Sequence, residues 1–405
     1  MAPPAPLELD VVIFGGGAAG LWLLDELHRS GRSTLLLERD RLGSGQTVAS
    51  QGIIHGGLKY SLSGLVGQSA RAVRTMPDRW RRCLAGQDTP NLSGTCMRAQ
   101  HCHLWQAVTL TSRLSLLGAT RTLRVAPVKL AIDERSPVLK GCPGDVFRLD
   151  EQVIEPASFI RALAERHEPR LLKIDDRSGL RFDFDAVHRT PTIHLRDPAS
   201  GTIALRARQL VLTAGAGNEG LRRALQLPGG AMQRRPLHMV VLKGKLPVLN
   251  GHCADKASTR VTITTSVDAQ GTAVWQVGGQ VSEAGVHMEA LALIRHTRCE
   301  LVAVLPGLDL SNAQWTTYRV DRAEAATPTR KRPDDVAARV DGPIITAWPT
   351  KLALVPHLVS KLLARLEPQG STASAHGAES LSLDWPRPQT AHPPWDGPTQ
   401  WTKDP

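Results

Sequence analysis

The sequence has few aromatic residues and no closely spaced pair of cysteines. Phe, Trp and Tyr make up 4% of the 405 residues, which argues against a stacking platform for single-stranded nucleic acid. None of the six cysteines lies in a C-x-x-C motif, so neither a zinc ribbon nor a dithiol–disulfide redox centre is expected. His101, Cys102 and His103 have no partner pair at ligand spacing, and we predict no metal site. No apolar run approaches the length of a membrane-spanning helix.

Basic residues outnumber acidic ones, with 49 Lys and Arg against 38 Asp and Glu and a formal net charge of +11. The excess suits anionic small molecules, an acidic membrane surface or nucleic acid and does not select one of them. Nucleic acid is the least favoured of these partners because aromatic residues are scarce. The first residues lack a charged segment followed by an apolar one, so no signal peptide is expected. We expect a cytoplasmic protein, and peripheral contact with the inner face of a membrane stays open.

The strongest pattern lies in the first forty residues. The apolar run at residues 9–14 predicts a buried parallel strand, and residues 21–27 have the apolar spacing of a helix. A second apolar run at residues 33–37 predicts another strand. The three segments form one βαβ unit, which typically opens a doubly wound sheet.

A glycine-rich turn joins the first predicted strand to the helix. Gly15, Gly17 and Gly20 follow the G-x-G-x-x-G spacing of dinucleotide-binding proteins. The first glycine permits a tight turn, the second lets the backbone approach a pyrophosphate, and the third lets the helix pack closely on the strand. Glu38, which ends the second strand, can accept both ribose hydroxyls, and this disfavours NADP. The residues themselves therefore predict FAD or NAD.

Three later segments resemble a known family. Residues 46–60, with small hydroxyl side chains followed by I-H-G-G-L-K-Y, resemble the I-H-G-G-L-R-Y segment of FAD-dependent glycerol-3-phosphate dehydrogenases, which belong to the D-amino-acid oxidase superfamily. Residues 208–217 resemble the strand and turn beside the flavin in that superfamily, and residues 350–352 resemble its lysine segment at the flavin ring. The resemblance extends over residues 8–365 and implies FAD as the cofactor.

The patterns and the resemblance together predict an α/β protein. It would have a Rossmann-like FAD-binding domain with an inserted, mainly antiparallel β substrate domain. The predicted boundaries are residues 1–80, 151–225 and 336–366 for the FAD-binding domain, 81–150 for a cap segment of the substrate domain, 226–335 for the substrate domain itself, and 367–405 for a tail.

The tail is rich in Pro, Ser and Trp, and three of the nine tryptophans fall in it: Trp385, Trp395 and Trp401. We interpret this segment as an extended strap that docks its Trp side chains on the body of the protein. A partner-binding segment and a disordered tail stay open as alternatives.

The glycine motif and the resemblance imply a set of residues that contact FAD. These are Gly15, Gly17, Ala18, Ala19, Gly20, Glu38, Arg39, Thr47, Ser50, Gln51, Gly215, Thr350, Lys351 and Leu352.

The resemblance also implies cationic side chains that face a small anionic substrate. Arg319 resembles the arginine that holds the substrate anion in related flavoenzymes, and Lys59 and Arg332 are further candidates. Lys59 stands where the family has arginine, and because lysine lacks the planar guanidinium fork, a bidentate phosphate site is weakened. Lys351 is expected beside the flavin, where its charge favours negative charge on the reduced ring or on dioxygen.

The oxidation also needs a proton acceptor, since the substrate O–H or N–H loses its proton as the C–H bond gives up hydride. Histidine suits this task because it titrates near neutrality. His238, before an apolar strand, and His55, in the I-H-G-G segment, are the candidates.

These residues predict an FAD-dependent oxidoreductase that oxidises a 2-hydroxy acid or polyol phosphate by hydride transfer to flavin. The electrons would pass to a quinone, another acceptor or dioxygen. One alternative is an amino-acid or amine oxidase of the same superfamily. Another is a non-catalytic flavoprotein or RNA-modification partner, which the basic charge and the Trp-rich tail suggest.

Overall fold

The computed structural model describes residues 5–56, 68–106, 127–185, 187–255, 258–368, 385–397 and 399–403, and Lys59 lies outside them. The helices in chain order are α1 (Ala18–Arg29), α2 (Gln68–Leu84), α3 (Pro137–Lys140), α4 (Pro156–His167), α5 (Asn218–Ala224), α6 (Gln280–Ala284), α7 (Ala290–Val304) and α8 (Val355–Leu363). The strands are β1 (Leu7–Phe14), β2 (Thr34–Glu38), β3 (Met97–Ala99), β4 (Cys102–Gln106), β5 (Val128–Lys129), β6 (Val146–Leu149), β7 (Val153–Ile154), β8 (Leu171–Lys173), β9 (Leu180–Asp183), β10 (Thr192–Asp197), β11 (Gly201–Leu212), β12 (Met232–Gly244), β13 (Gly251–Asp255), β14 (Ser258–Val267), β15 (Ala273–Gly278), β16 (Gln314–Ala325), β17 (Ala337–Asp341), β18 (Ile344–Trp348) and β19 (Thr402–Lys403).

The first sheet has the order β17-β18-β11-β1-β2-β8, with β10 paired to β11 and β9 paired to β10. β1 pairs in parallel with both β2 and β11, and β18 continues the parallel series beside β11. The apolar residues of β1 are buried, as a parallel strand covered on both faces requires. The predicted βαβ unit is confirmed, with α1 connecting β1 to β2.

One face of the first sheet is covered by α1, α4 and α8. Its core includes three aromatic side chains that contact one another: Trp22 and Trp80 in an edge-to-face pair with centroids 4.9 Å apart, and Phe159 with its centroid 5.3 Å from that of Trp80. Trp80 Nε1–H donates to the Ala353 oxygen at 3.1 Å, which satisfies the buried indole. This packing holds α1 against the sheet and so positions the glycine turn at the carboxyl end of β1.

The second sheet has the order β19-β16-β12-β15-β14-β13-β4-β6-β5 and is mainly antiparallel. Trp105, Trp275 and Trp315 form the core of one of its faces, together with apolar residues of α7. The other face lies toward loops of the first sheet. The α/β class with a mainly antiparallel second sheet is confirmed. None of the described helices has the length and apolar character needed to cross a bilayer.

Candidate active site

The glycine turn packs against the end of β11 too tightly for side chains. Gly15 has φ +103°, and a Cβ built there would lie 2.4 Å from Ala214 Cα. A Cβ on Gly20 would lie 2.0 Å from the Gly15 oxygen, so α1 can approach the turn only because this residue is glycine. Gly17 supplies no capping side chain to α1, and the first turn of the helix has no acidic residue. The positive end of α1 therefore suits a phosphate group.

Glu38 lies beside this turn. One carboxylate oxygen accepts the Gly16 N–H at 2.6 Å, and the other accepts the Asp40 N–H at 2.9 Å. Burial raises the pKa of Glu38, and the two backbone N–H groups oppose that rise. Each oxygen keeps a further lone pair for a ribose hydroxyl. Arg39 instead points outward to Asp176 at 2.7 Å with 56% of its side chain exposed, so the structure does not bring it to the turn.

The loop that follows β2, residues 39–52, is named here the cofactor loop, and hydrogen bonds join it to the second sheet. Gln51 Nε2 donates to the backbone oxygens of Thr262 and Gln276 at 3.0 and 2.9 Å. Gln276 Nε2 and the Tyr318 hydroxyl both donate to the Ala49 oxygen at 2.8 Å. These bonds fix the distance between the predicted cofactor loop and the sheet that would cover it.

The ends of β11 and β18 are joined by a side chain that sequence reasoning missed. Asn218 Oδ1 accepts the Ala214 N–H at 2.8 Å, and Asn218 Nδ2 donates to the Ala347 oxygen at 3.2 Å. Gly215, in the same turn, has φ +55°, and Thr350 has φ +48°. The bond to Ala347 sets the turn after β11 beside the segment that carries Lys351.

A buried carboxylate lies between two histidines next to this region. Glu151 Oε2 is 3.4 Å from His55 Nδ1 and 3.5 Å from His252 Nε2, and the two imidazole rings are stacked with centroids 5.4 Å apart. Glu151 Oε1 accepts the Gly56 N–H at 2.7 Å. The other ring nitrogen of His252, Nδ1, is 3.0 Å from the Thr262 hydroxyl. The rotamers of Glu151 and His252 are thus held by backbone or side-chain partners.

Backbone pairing brings these residues together from distant parts of the sequence. Ile53 forms an isolated bridge with Val153, and the Ile54 N–H donates to the Gln152 oxygen at 2.8 Å. Since His55 follows this pairing on one side and Glu151 precedes it on the other, the two side chains meet. Sequence reasoning found His55 through its motif but had no signal for Glu151 or His252.

Burial lowers the pKa of His55 to about 4, although the bond to Glu151 opposes this effect and the charge of Lys351 adds to it. Burial would raise the pKa of Glu151, but its hydrogen bonds with His252 and His55 outweigh burial and hold that pKa well below its ordinary value. At neutral pH the cluster therefore contains an anionic carboxylate and a neutral His55. If His55 donates its Nδ1–H to Glu151, its Nε2 lone pair is left to accept a proton.

The ligand atoms of His55, Glu151 and His252 lie within 4.8 Å of one another, a spacing that could hold a divalent metal ion. Lys351 argues against that use, since its positive charge acts on the same imidazole. We therefore treat the three residues as a cluster of closely spaced ionisable side chains, named here the His55 cluster.

Arg319 lies on the opposite face of the second sheet. Its guanidinium donates to the backbone oxygens of Val286 and Met288 at 2.7 and 3.0 Å, beyond α6. The neighbouring residue, Tyr318, faces the Ala49 loop instead, because successive side chains of a strand point to opposite faces. The structure does not bring Arg319 to the His55 cluster, and its role in holding the substrate anion stays a prediction.

His238 lies on the same face as Arg319, with which it pairs across β12 and β16. Its Nδ1 is 3.1 Å from the Gly285 oxygen, and its Nε2 is 3.0 Å from the Thr317 hydroxyl. Both ring nitrogens are engaged away from the cofactor loop, so the geometry favours His55 over His238 as proton acceptor. Arg332 lies in the loop between β16 and β17.

Comparison with known proteins supports a flavin cofactor, as the glycine turn and Glu38 do. A family model described as FAD-dependent oxidoreductase, of the D-amino-acid oxidase type, matches residues 10–338. The chain belongs to this family. It is therefore an FAD-dependent oxidoreductase.

The relatives of the chain include one similar over its whole length. The probable FAD-dependent oxidoreductase PA4991 of Pseudomonas aeruginosa is 40% identical over 401 residues, which cover 97% of this chain and 99% of the relative. Its crystal structure superposes with a TM-score of 0.78 over 97% of this chain and 99% of that one, at 36% identity.

Two further solved structures share the fold at low identity. The L-α-glycerophosphate oxidase of Mycoplasma pneumoniae has a TM-score of 0.62 and 14% identity over 91% of this chain and 98% of its own. Glycine oxidase of Geobacillus kaustophilus has a TM-score of 0.62 and 15% identity over 93% and 99%. The glycerol-phosphate enzymes are thus distant structural neighbours within the superfamily.

The described residues of this oxidoreductase fit FAD. Two buried polar atoms of residues predicted to contact it, Ser50 Oγ and Thr350 Oγ1, and the nearby Trp348 Nε1 have no hydrogen-bond partner among the residues that the structure describes. A polar cofactor supplies partners for such atoms. The Thr47 hydroxyl accepts the Ala18 N–H at 3.3 Å and so joins the cofactor loop to α1. Leu352 packs on the core of the first sheet.

We expect the Gly20→Ala variant to lose most of its FAD. The added Cβ would overlap the Gly15 oxygen, so the helix must shift away from the turn, at a cost of about 1–3 kcal/mol. Gly220→Ala is the matched control, because a Cβ there has no atom within 4 Å. The ratio of flavin to protein absorbance after desalting measures the effect. Full flavin content in Gly20→Ala would show that close packing at this position does not control binding.

Proposed function

We propose that this oxidoreductase oxidises a small hydroxylated anion, either a 2-hydroxy acid or a polyol phosphate, to the corresponding carbonyl compound. FAD, when bound, supplies the acceptor for the hydride that leaves the carbon. The proton of the substrate O–H goes to His55 Nε2. The observation that carries the proposal is the position of His55 Nδ1, 3.4 Å from the buried Glu151 carboxylate, where the charge of Lys351 acts on the same imidazole.

Three features of the His55 cluster suit it to accept a proton. The pKa of His55 is low enough to keep the imidazole neutral at pH 7, and the anionic Glu151 stabilises the imidazolium that forms on proton transfer. The His252 ring stacks on the His55 ring, and the Thr262 hydroxyl, 3.0 Å from His252 Nδ1, holds the His252 ring in place. Transfer therefore needs little rearrangement of the side chains.

Lys351 supports an anionic, hydroxylated substrate. Its positive charge attracts a carboxylate or phosphate and stabilises negative charge that develops as the O–H loses its proton. A substrate ammonium would instead place a second cation near Lys351, which is unfavourable in a partly buried site. This favours hydroxy acids and polyol phosphates over amino acids. The glycerophosphate oxidase among the structural neighbours is consistent with the polyol phosphate class.

We expect 2-hydroxy acids or polyol phosphates to bleach the flavin absorbance of the enzyme without oxygen, and amino acids to leave it unchanged. Peroxide formation in air, compared with reduction of a quinone analogue, would identify the electron acceptor. Bleaching by amino acids alone would overturn the proposal in favour of an amino-acid oxidase. RNA binding with a steep salt dependence and no bleaching by any compound would favour a non-catalytic role.

The His55→Gln variant should lower kcat by about 10²–10⁴-fold, since it removes the proton acceptor. In the wild type, kcat should stay level from pH 6 to 8 and fall only as the pH drops through about 4, where His55 becomes protonated. The acid limb of the pH profile should disappear in His55→Gln. His238→Gln is the control, because His238 lies on the opposite face of the sheet. A larger loss in His238→Gln than in His55→Gln would reverse the assignment.

The Lys351→Gln variant should raise KM for the anionic substrate about tenfold, the loss of roughly 1.4 kcal/mol of binding free energy. It should also move the acid limb to higher pH, because the charge of Lys351 lowers the pKa of His55. Arg319→Gln should change neither quantity, as its guanidinium binds backbone oxygens elsewhere. Steady-state kinetics between pH 4 and 8 test both variants. An unchanged limb in Lys351→Gln would contradict the electrostatic coupling.

A further inference from the structure

Residues 385–397 and 399–403, named here the strap, contact both sheets. At one end the strap lies against β8: Trp385 Nε1–H donates to the Lys173 oxygen at 2.9 Å, and the Lys173 N–H donates to the Pro386 oxygen at 2.8 Å. At the other end β19 pairs with β16 and forms the outermost strand of the second sheet. The strap thus connects the sheet that carries the glycine turn to the sheet that faces it.

Midway, the strap forms a two-bond bridge with the cofactor loop. The Leu42 N–H donates to the Gln389 oxygen at 2.8 Å, and the Ala391 N–H donates to the Leu42 oxygen at 2.9 Å. Both backbone groups of Leu42 are therefore held by the strap. Ala391 also packs with Val48 of the same loop in a small buried cluster.

The side chain of Leu42 packs against the glycine turn. A Cβ on Gly16 would lie 2.3 Å from Leu42 Cδ2, so the leucine side chain covers the backbone of Gly16 directly. The next residue, Gly43, donates its N–H to the Gly16 oxygen at 2.8 Å. Gly16 donates its own N–H to Glu38. A continuous series of contacts leads from the strap through Leu42 to the predicted pyrophosphate and ribose contacts.

The far part of the strap is anchored independently of this loop. Trp395 is 4% exposed and packs on Val241 and Val274, on the face of the second sheet that carries Tyr318. The Lys243 ammonium lies 4.4 Å from the centroid of Trp401. The strap is therefore attached to the first sheet at β8 and to the second sheet at β16, on either side of its bridge with Leu42.

We propose that the strap is a retention element for FAD: it holds Leu42 and Gly43 against the glycine turn and so raises the affinity of the protein for its cofactor. The contribution is one of pre-organisation, since the strap orders the loop before the cofactor binds. By thermodynamic reciprocity, FAD must stabilise the strap to the same extent. The inference concerns the cofactor alone and does not depend on the identity of the substrate.

The first test removes one bond of the bridge in the full-length chain. Ala391→Pro deletes the N–H that binds the Leu42 oxygen, whereas Ala391→Gly keeps that N–H and is the matched control. We expect the Kd of the deflavinated protein for FAD to rise at least tenfold in Ala391→Pro and to stay within about twofold of wild type in Ala391→Gly. Thermal unfolding of both apoproteins verifies that they fold. Wild-type affinity in a folded Ala391→Pro protein would refute the proposal.

The second test uses the unmodified protein and does not rely on a variant that folds. Amide hydrogen exchange is followed in the apoprotein and after saturation with FAD. The amides of Leu42 and Ala391 should exchange at least tenfold more slowly with FAD bound, and the slowing should extend to the strap. An exposed segment distant from the bridge, such as the turn between β10 and β11, serves as the reference. Equal exchange of the strap amides with and without FAD would contradict the coupling.

Discussion

The alternation of side chains along the second sheet separates the two sides of the molecule. In β12 and β16, one set of residues faces α6 and α7 and builds the Trp275 and Trp315 core, and the intervening residues face the cofactor loop. The bonds from Gln276 and Tyr318 to Ala49 belong to this second set. Because a strand has a fixed period of two residues, a side chain on the helical side cannot be turned to the cofactor side without a shift of register. The register of β12 and β16 therefore decides which polar groups meet the cofactor.

Register also explains which parts of the site the sequence could predict. The βαβ unit and the glycine turn were predictable because their signals are local: an apolar run, a spacing of glycines and Glu38 at a strand end. Arg319 and His238 have the right chemistry in the right strands, but the sequence does not reveal which face of a sheet a given residue occupies. His55 and Lys351 were predicted through motifs. Glu151 and His252 carry no motif, and only backbone pairing across the fold brings them to His55.

The His55 cluster illustrates how burial and pairing determine protonation. A lone carboxylate that is 3% exposed would tend to be protonated, yet Glu151 stays anionic because its two oxygens accept the Gly56 N–H and interact with two imidazoles. The same burial lowers the pKa of His55 and leaves the ring neutral. Glu151 favours protonation of His55 and burial opposes it, so neither protonation state follows from the residue type alone.

A single loop links the two ends of the cofactor site. Its first part, after Glu38, presents Leu42 and Gly43 to the glycine turn, and its last part presents Ala49 and Gln51 to the second sheet. Only a few residues separate the two parts, and the loop is hydrogen-bonded at both ends. The strap contacts the loop at Leu42 and the second sheet through β19 and Trp395, so it bridges the same two bodies by a parallel route. Two separate sets of contacts, one through the loop and one through the strap, therefore connect the glycine turn to the second sheet.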